Sequence, residues 1–261
     1  MNGGVESFVD TPLGKTRVWT KGRGKRLCVL AGAGGAKKWT PFLEELSRSR
    51  KVIVPSLPGF PGGAPSEGLD QLMDWILAAC DVVEAAGCLD SDMVGASIGA
   101  TFAAEIAAFW PDNVKKLTLI APFGLYDAAH PVADIFAQRP GAMANVLSRK
   151  PDELNTWLSP PEGFDPGEWE VQSLRANVAT ASIIWPLGDT RLNQRLWRIK
   201  APTMVLWGGE DQVMAPAYAK LVAAAIGKNA KTKIVRNAGH MAEFDQPAAV
   251  ARAVIGFCTD G

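Results

Sequence analysis

Leu27-Cys28-Val29-Leu30-Ala31 is apolar at every position and stops abruptly at Gly32-Ala33-Gly34-Gly35. A strand with one wet face alternates apolar and polar side chains. A strand apolar throughout must be covered on both faces, as happens inside a parallel sheet packed between helices. The rest of the chain meets that demand. Ser91 to Ala96 reads as a strand, Ile98 to Trp110 as a helix stopped by Pro111, and Val114 to Ala121 as a further strand. Thr203 to Trp207, Pro216 to Ile226, Thr232 to Val235 and Pro247 to Phe257 continue as strand, helix, strand, helix. Upstream, Pro41 to Ser47 predicts a short helix and Lys51 to Val54 a strand. Leu69 to Ala86 predicts a longer helix, with Leu72, Trp75, Ile76, Ala79, Val82 and Val83 at helical spacing. Ser7 to Asp10 and Thr16 to Thr20 flank the turn Thr11-Pro12-Leu13-Gly14 as a hairpin. The fold class expected is α/β, a mostly parallel sheet flanked by helices.

The alternation breaks between Phe123 and about Lys200, where prolines punctuate a tryptophan-rich stretch expected to hold short helices, with Trp157, Trp169, Trp185 and Trp197 among them. This reads as an insertion, residues 124–200, into a core made of residues 1–123 and 201–261. The length of 261 residues suits one large domain with an insertion better than two independent domains.

Lys plus Arg (27) balance Asp plus Glu (27), so no net charge draws the chain to nucleic acid or to an anionic membrane. Neither a leader-like apolar run near the start nor an 18-residue apolar span occurs, and the location expected is cytoplasmic, with no membrane partner. Cys28, Cys80, Cys88 and Cys258 form no CxxC pair and read as small buried hydrophobes. The two histidines lack a carboxylate or cysteine at ligand spacing, and the glycines after residue 31 lack the spacing of a nucleotide loop. No metal and no cofactor are therefore expected; the partner is a small-molecule substrate, and self-association is left open.

Gly95-Ala96-Ser97-Ile98-Gly99 fits G-x-S-x-G at the point where a strand gives way to a helix. A hydroxyl on such a turn is exposed, small flanking residues let backbone pack around it, and the helix N-terminus favours a developing oxyanion. Serine needs a base to take its proton. His240 follows the last strand, at the carboxyl edge where parallel sheets place ligands, whereas His130 lies in the insertion. The imidazole needs a carboxylate to fix its tautomer. Asp211, past the apolar run ending at Trp207, is the candidate, with Glu210 and Asp127 as rivals. The order Ser97, Asp211, His240 is one in which such triads occur.

On these features the chain resembles the α/β-hydrolase superfamily along nearly its full length. The hairpin start, the loop from Leu30 to Gly35, the Gly95 to Gly99 turn, the segment from Leu206 to Asp211 and Gly239-His240 carry the resemblance. It implies an eight-stranded sheet, a helical lid formed by residues 124–200, and an oxyanion hole from the backbone N–H groups of Ala33 and Ile98, with Gly34 the neighbouring candidate. Two positions depart from the family's pattern. Ala31-Gly32 stands where His-Gly usually opens the loop, and Ser56 stands where Asp is common. The first removes a supporting side chain from the loop, and the second is structural more than catalytic.

A serine at the elbow disfavours the dehalogenases and epoxide hydrolases of the superfamily, which use aspartate there. The reading expected is a carboxylesterase-like serine hydrolase. A carbon–carbon bond hydrolase of meta-cleavage dienoates is the alternative, with Lys37, Lys38, Arg175 or Arg191 available for a substrate carboxylate. A residue after the histidine that is Met241, where that group has tryptophan, argues against it. A non-catalytic binding protein of the same fold is the further alternative. Phe136, Phe164 and the tryptophans of the insertion serve an apolar pocket or the insertion's own packing.

Overall fold

The computed structural model describes residues 3–139, 142–185 and 189–259. Eight strands form one sheet: β1 (Val5–Thr11), β2 (Gly14–Lys21), β3 (Arg26–Leu30), β4 (Lys51–Pro55), β5 (Ser91–Ala96), β6 (Val114–Ile120), β7 (Thr203–Gly208) and β8 (Ala230–Val235). Their order across the sheet is β1-β2-β4-β3-β5-β6-β7-β8. The hairpin β1–β2 and the β2–β4 pair are antiparallel, and every later pair is parallel. The all-apolar run at residues 27–30 lies in β3, central and buried, as its composition demands.

Helices close both faces. On one side α1 (Pro41–Ser47), α9 (Ala242–Asp245) and α10 (Pro247–Thr259) pack over Val29, Val54 and Val94. On the other, α2 (Leu72–Ala85), α3 (Ile98–Phe109) and α8 (Tyr218–Ile226) build the larger core around Phe102, Ile106 and Trp207. Thr40 caps α1, its hydroxyl accepting from the Leu43 N–H, and Pro41 occupies the first turn, where its missing donor costs nothing. All four cysteines are free and buried.

Between β6 and β7 run α4 (Met143–Leu147), α5 (Pro151–Leu158), α6 (Pro166–Ile184) and α7 (Asn193–Leu196). The expectation of short helices fails for α6, whose 19 residues make it the longest helix described. Asp165 caps it by accepting from the Glu168 N–H, Pro166 starts it, and no proline interrupts it. This segment touches the core through ionic contacts as well as apolar ones. Arg195 of α7 forms a two-armed pair with Glu105 of α3, at 2.5 and 2.7 Å, and that glutamate is wholly buried. Lys38 donates to the carbonyls of Trp157 and Ser159 at the end of α5, at 2.6 and 2.8 Å.

Candidate active site

Ser97 caps α3 directly after β5, with φ 51° and ψ −121°. The flanking glycines have a steric reason. A Cβ on Gly95 would run into the Gly99 carbonyl and the Ala100 backbone, and one on Gly99 would strike the carbonyls of Leu30 and Ala31. The turn can be this tight only because both positions lack a side chain. Gly32, the first residue past Ala31, brings the loop after β3 against the serine: a Cβ there would lie 3.2 Å from that of Ser97.

The Ser97 hydroxyl lies 3.0 Å from His240 Nε2, and His240 Nδ1 lies 2.9 Å from Asp211 Oδ2. All three residues are buried. The second carboxylate oxygen of Asp211 accepts from the N–H groups of Val213 and Met214, at 2.8 and 3.0 Å, which fixes the carboxylate plane. Trp207 holds that loop from beneath by donating to the Met214 carbonyl and stacking on Tyr218. Burial works against an imidazolium at His240. The charge and hydrogen bond of Asp211, with Glu243 nearby, outweigh it and hold the ring above the ordinary histidine value.

Asp245 anchors the histidine loop. Its carboxylate accepts from the Gly239 N–H, at 2.6 Å, from the Arg149 N–H and from the Ser148 hydroxyl. Met241 N–H donates to the Leu147 carbonyl at 2.9 Å, so the loop bearing His240 is tied to α4. The loop after β3 has its own anchor in Arg17 on β2, whose Nη2 donates to the carbonyls of Ala36 and Pro61, at 2.6 and 2.7 Å, and to the Ser56 hydroxyl at 3.3 Å. Arg17 and Asp245 escaped the sequence reading, because they bind residues distant in sequence.

A cavity of about 310 Å³ opens onto Ser97 and His240. The segment between β6 and β7 contributes Phe136, Met143 and Trp157 to its wall, and the loop after β3 contributes Ala33 and Lys37. The lining then continues past the loop after β3 onto Val29, Val94 and Phe42, under α1. Ile98 opens α3, so its N–H belongs to the first turn, which has no acceptor within the helix. Lys37, held by the Ser173 hydroxyl, is pulled below its ordinary value by burial and then by Lys38.

The other candidates sit apart from this cluster. His130 pairs with Asp127 at 2.7 Å near the surface, and Glu210 pairs with Arg149. Arg175 and Arg191 are exposed. Of the aromatic residues in the insertion, Phe136 and Trp157 reach the cavity, Trp169 packs against Phe164 beneath Lys37, and Trp185 and Trp197 are exposed. Among the described residues no group of three or more His, Cys, Asp or Glu could hold a metal ion, and no helix is long and apolar enough to cross a membrane.

A mostly parallel eight-stranded sheet, opened by an antiparallel hairpin and carrying its polar cluster at the carboxyl edge, defines the α/β-hydrolase fold. The chain belongs to the alpha/beta hydrolase family, whose model matches residues 29–253. It is 24% identical to human monoacylglycerol lipase ABHD6 over 240 residues, covering 84% of this chain and 70% of that one. It is also 24% identical to 2-hydroxymuconate semialdehyde hydrolase of Pseudomonas sp. (strain CF600), over 94% of this chain and 91% of the relative. The structure of the meta-cleavage product hydrolase from Pseudomonas fluorescens IP01 superposes with a TM-score of 0.75 at 16% identity, covering 96% of each chain. A monoacylglycerol lipase and a meta-cleavage product hydrolase thus both stand among the proteins it is similar to.

Proposed function

We propose that the chain is a carboxylic ester hydrolase working through an acyl-enzyme on Ser97, with residues 124–200 as a lid over the site. The observation that carries this reading is the continuous hydrogen-bonded chain from Ser97 through His240 to Asp211 at the mouth of a largely apolar cavity. The Ser97 oxygen attacks the acyl carbon while its proton passes to His240 Nε2. The resulting oxyanion accepts from the N–H groups of Ala33 and Ile98, each worth about 10²–10³ in kcat. Collapse breaks the bond to the alkoxide, which leaves with the proton from His240. Water then gives a proton to the same nitrogen as it attacks the acyl carbon, and collapse breaks the bond to the Ser97 oxygen, which takes that proton back from His240 as the carboxylic acid leaves.

Carbon–carbon bond hydrolysis is the second reading, favoured by Lys37, a cation on the cavity wall that suits a substrate carboxylate. One experiment separates the two. Hydrolysis of p-nitrophenyl esters from acetyl to dodecanoyl is compared with cleavage of a 2-hydroxy-6-oxo-dienoate, with Ser97→Ala as control. Ester turnover lost in the variant, without dienoate cleavage, supports the esterase; preferential dienoate cleavage overturns it. Covalent labelling by a fluorophosphonate tests the nucleophile itself. Folded protein that resists the label points to a ligand-binding role instead.

A further inference from the structure

Ala121 directly follows β6, and its backbone is left-handed, with φ 45°, although it carries a side chain. It is buried, and its N–H donates to the Leu206 carbonyl of β7 at 3.1 Å. Strain of this kind persists where the surroundings hold it in place, and it clusters at functional sites. The turn delivers Phe123. That ring is buried and packs against the imidazole of His240, with centroids 5.3 Å apart and planes at 59°. Its backbone is fixed as well: the Thr101 hydroxyl donates to the Phe123 carbonyl at 3.0 Å and lies 3.4 Å from the carbonyl of Ser97. Thr101 stands one turn beyond the serine on α3, so the aromatic ring is referenced to the same turn that carries the nucleophile. Phe123 forms no part of the cavity wall, so it acts on the site only through His240.

In the free enzyme His240 has two tethers in the plane of its ring, Ser97 at Nε2 and Asp211 at Nδ1. Acylation removes one of them. The Ser97 oxygen is then bonded to the acyl carbon and has no proton to give, and Asp211 alone holds the ring. A single hydrogen bond fixes a direction but resists rotation about itself weakly, whereas a side chain packed on the ring face resists that rotation by contact. We propose that Phe123 is a positioning residue for deacylation: packed against His240, it keeps Nε2 aimed at the water that attacks the acyl-enzyme once Ser97 no longer tethers the imidazole. The inference rests on the ester reading given above. Water gives its proton to Nε2 as its oxygen bonds to the acyl carbon, so a ring that tilts away misplaces the acceptor in this half of the reaction, and small misplacements of a reacting group are costly.

The test compares Phe123→Leu, which keeps most of the apolar volume, with Phe257→Leu, a buried aromatic of α10, as the packing control. In stopped-flow assays with p-nitrophenyl butanoate, Phe123→Leu is expected to lower kcat about tenfold and kcat/KM, which reports acylation, by about twofold at most. KM therefore falls, and p-nitrophenol appears in a burst approaching one per Ser97 before a slow steady state. Phe257→Leu leaves both constants near the wild-type values. Unchanged kcat in Phe123→Leu, or an equal fall in kcat and kcat/KM, overturns the proposal and leaves the esterase standing. A second measurement needs no turnover. In Ser97→Ala, which lacks the serine tether, the low-field proton NMR line of the His240 Nδ1–H bonded to Asp211 should persist, and adding Phe123→Leu should broaden it away. A line already lost in Ser97→Ala, or one that survives the double replacement, overturns the proposal. Wild-type protein that cleaves no ester removes the ester reading, and the NMR line then decides alone whether Phe123 positions His240.

Discussion

The backbone of Ser97, at φ 51° and ψ −121°, occupies a region that residues with a side chain avoid, at a cost of about 1–3 kcal/mol. The neighbouring packing holds the strain and keeps the hydroxyl on the cavity side of the turn. Ser97→Gly, free of that restriction, is therefore expected to raise the melting temperature by a few degrees while abolishing ester hydrolysis, which calorimetry and a rate assay check together. His240 yields a prediction with a definite sign. A general base must be neutral, so kcat/KM falls as pH drops through the His240 pKa, which lies above the ordinary histidine value because Asp211 outweighs burial. Asp211→Asn removes the charge that raises it and leaves the burial that lowers it. The acid limb of the profile should move to lower pH, and kcat should fall by about 10⁴ as the tautomer is lost. An acid limb that stays in place would remove Asp211 as the source of the shift.

Elements deliver these residues to one edge because β3, β5, β7 and β8 are parallel, and the loops after all four carry the site. That much was legible in the sequence, since apolar runs, Pro111 and the glycine-flanked serine are local signals, each read within a few residues. The anchors were not legible. Arg17 reaches Ala36, Ser56 and Pro61 across gaps of 19, 39 and 44 residues, and Asp245 meets Ser148 across 97. Arg17 binds the far end of the loop after β3, at the Ala36 carbonyl, and also the Ser56 hydroxyl. Replacing it with methionine leaves the Ala36 and Pro61 carbonyls without their donor and loosens the loop that carries Ala33. Arg17→Met is expected to cut kcat by about tenfold or more with little change in KM. It should weaken a trifluoromethyl ketone, which needs the oxyanion donors, far more than a product carboxylate. Equal loss for both ligands would mean a general structural role. In the segment between β6 and β7, the length of α6 escapes the sequence because prolines and scattered tryptophans suggest fragments, although Pro160 and Pro161 precede the helix and Pro166 opens it.

At the scale of the whole molecule, the segment between β6 and β7 is fastened to the rest of the chain at separate points, and residues of both line the cavity. Lys38 grips the end of α5, Asp245 holds Ser148 and Arg149, and Arg195 meets Glu105. The Glu105 pair is the strongest candidate for a clasp, because removing Arg195 leaves an uncompensated charge in a fully buried position, at a cost of about 3–5 kcal/mol. Arg195→Met should therefore destabilise the protein by about that much in chemical denaturation, and adding Glu105→Gln should restore a good part of it. With the fastening intact, the cavity's reach is set by side chains on both sides of the boundary. Trp157 from α5 lines it while leaning on Phe244 of α9, with ring centroids 5.9 Å apart, and its carbonyl is the one held by Lys38. Trp157→Ala removes the ring but keeps that carbonyl, so the Lys38 contact survives and the pocket lengthens. Because a single methylene in an apolar pocket is worth tenfold or more in selectivity, the ratio of kcat/KM for dodecanoyl over butanoyl p-nitrophenyl esters should rise by about tenfold. The change should come from better long-chain turnover combined with poorer short-chain binding. A ratio that does not move would mean that the acyl chain runs the other way, past Val29, Val94 and Phe42 beneath α1, and Phe42→Ala should then carry the shift instead.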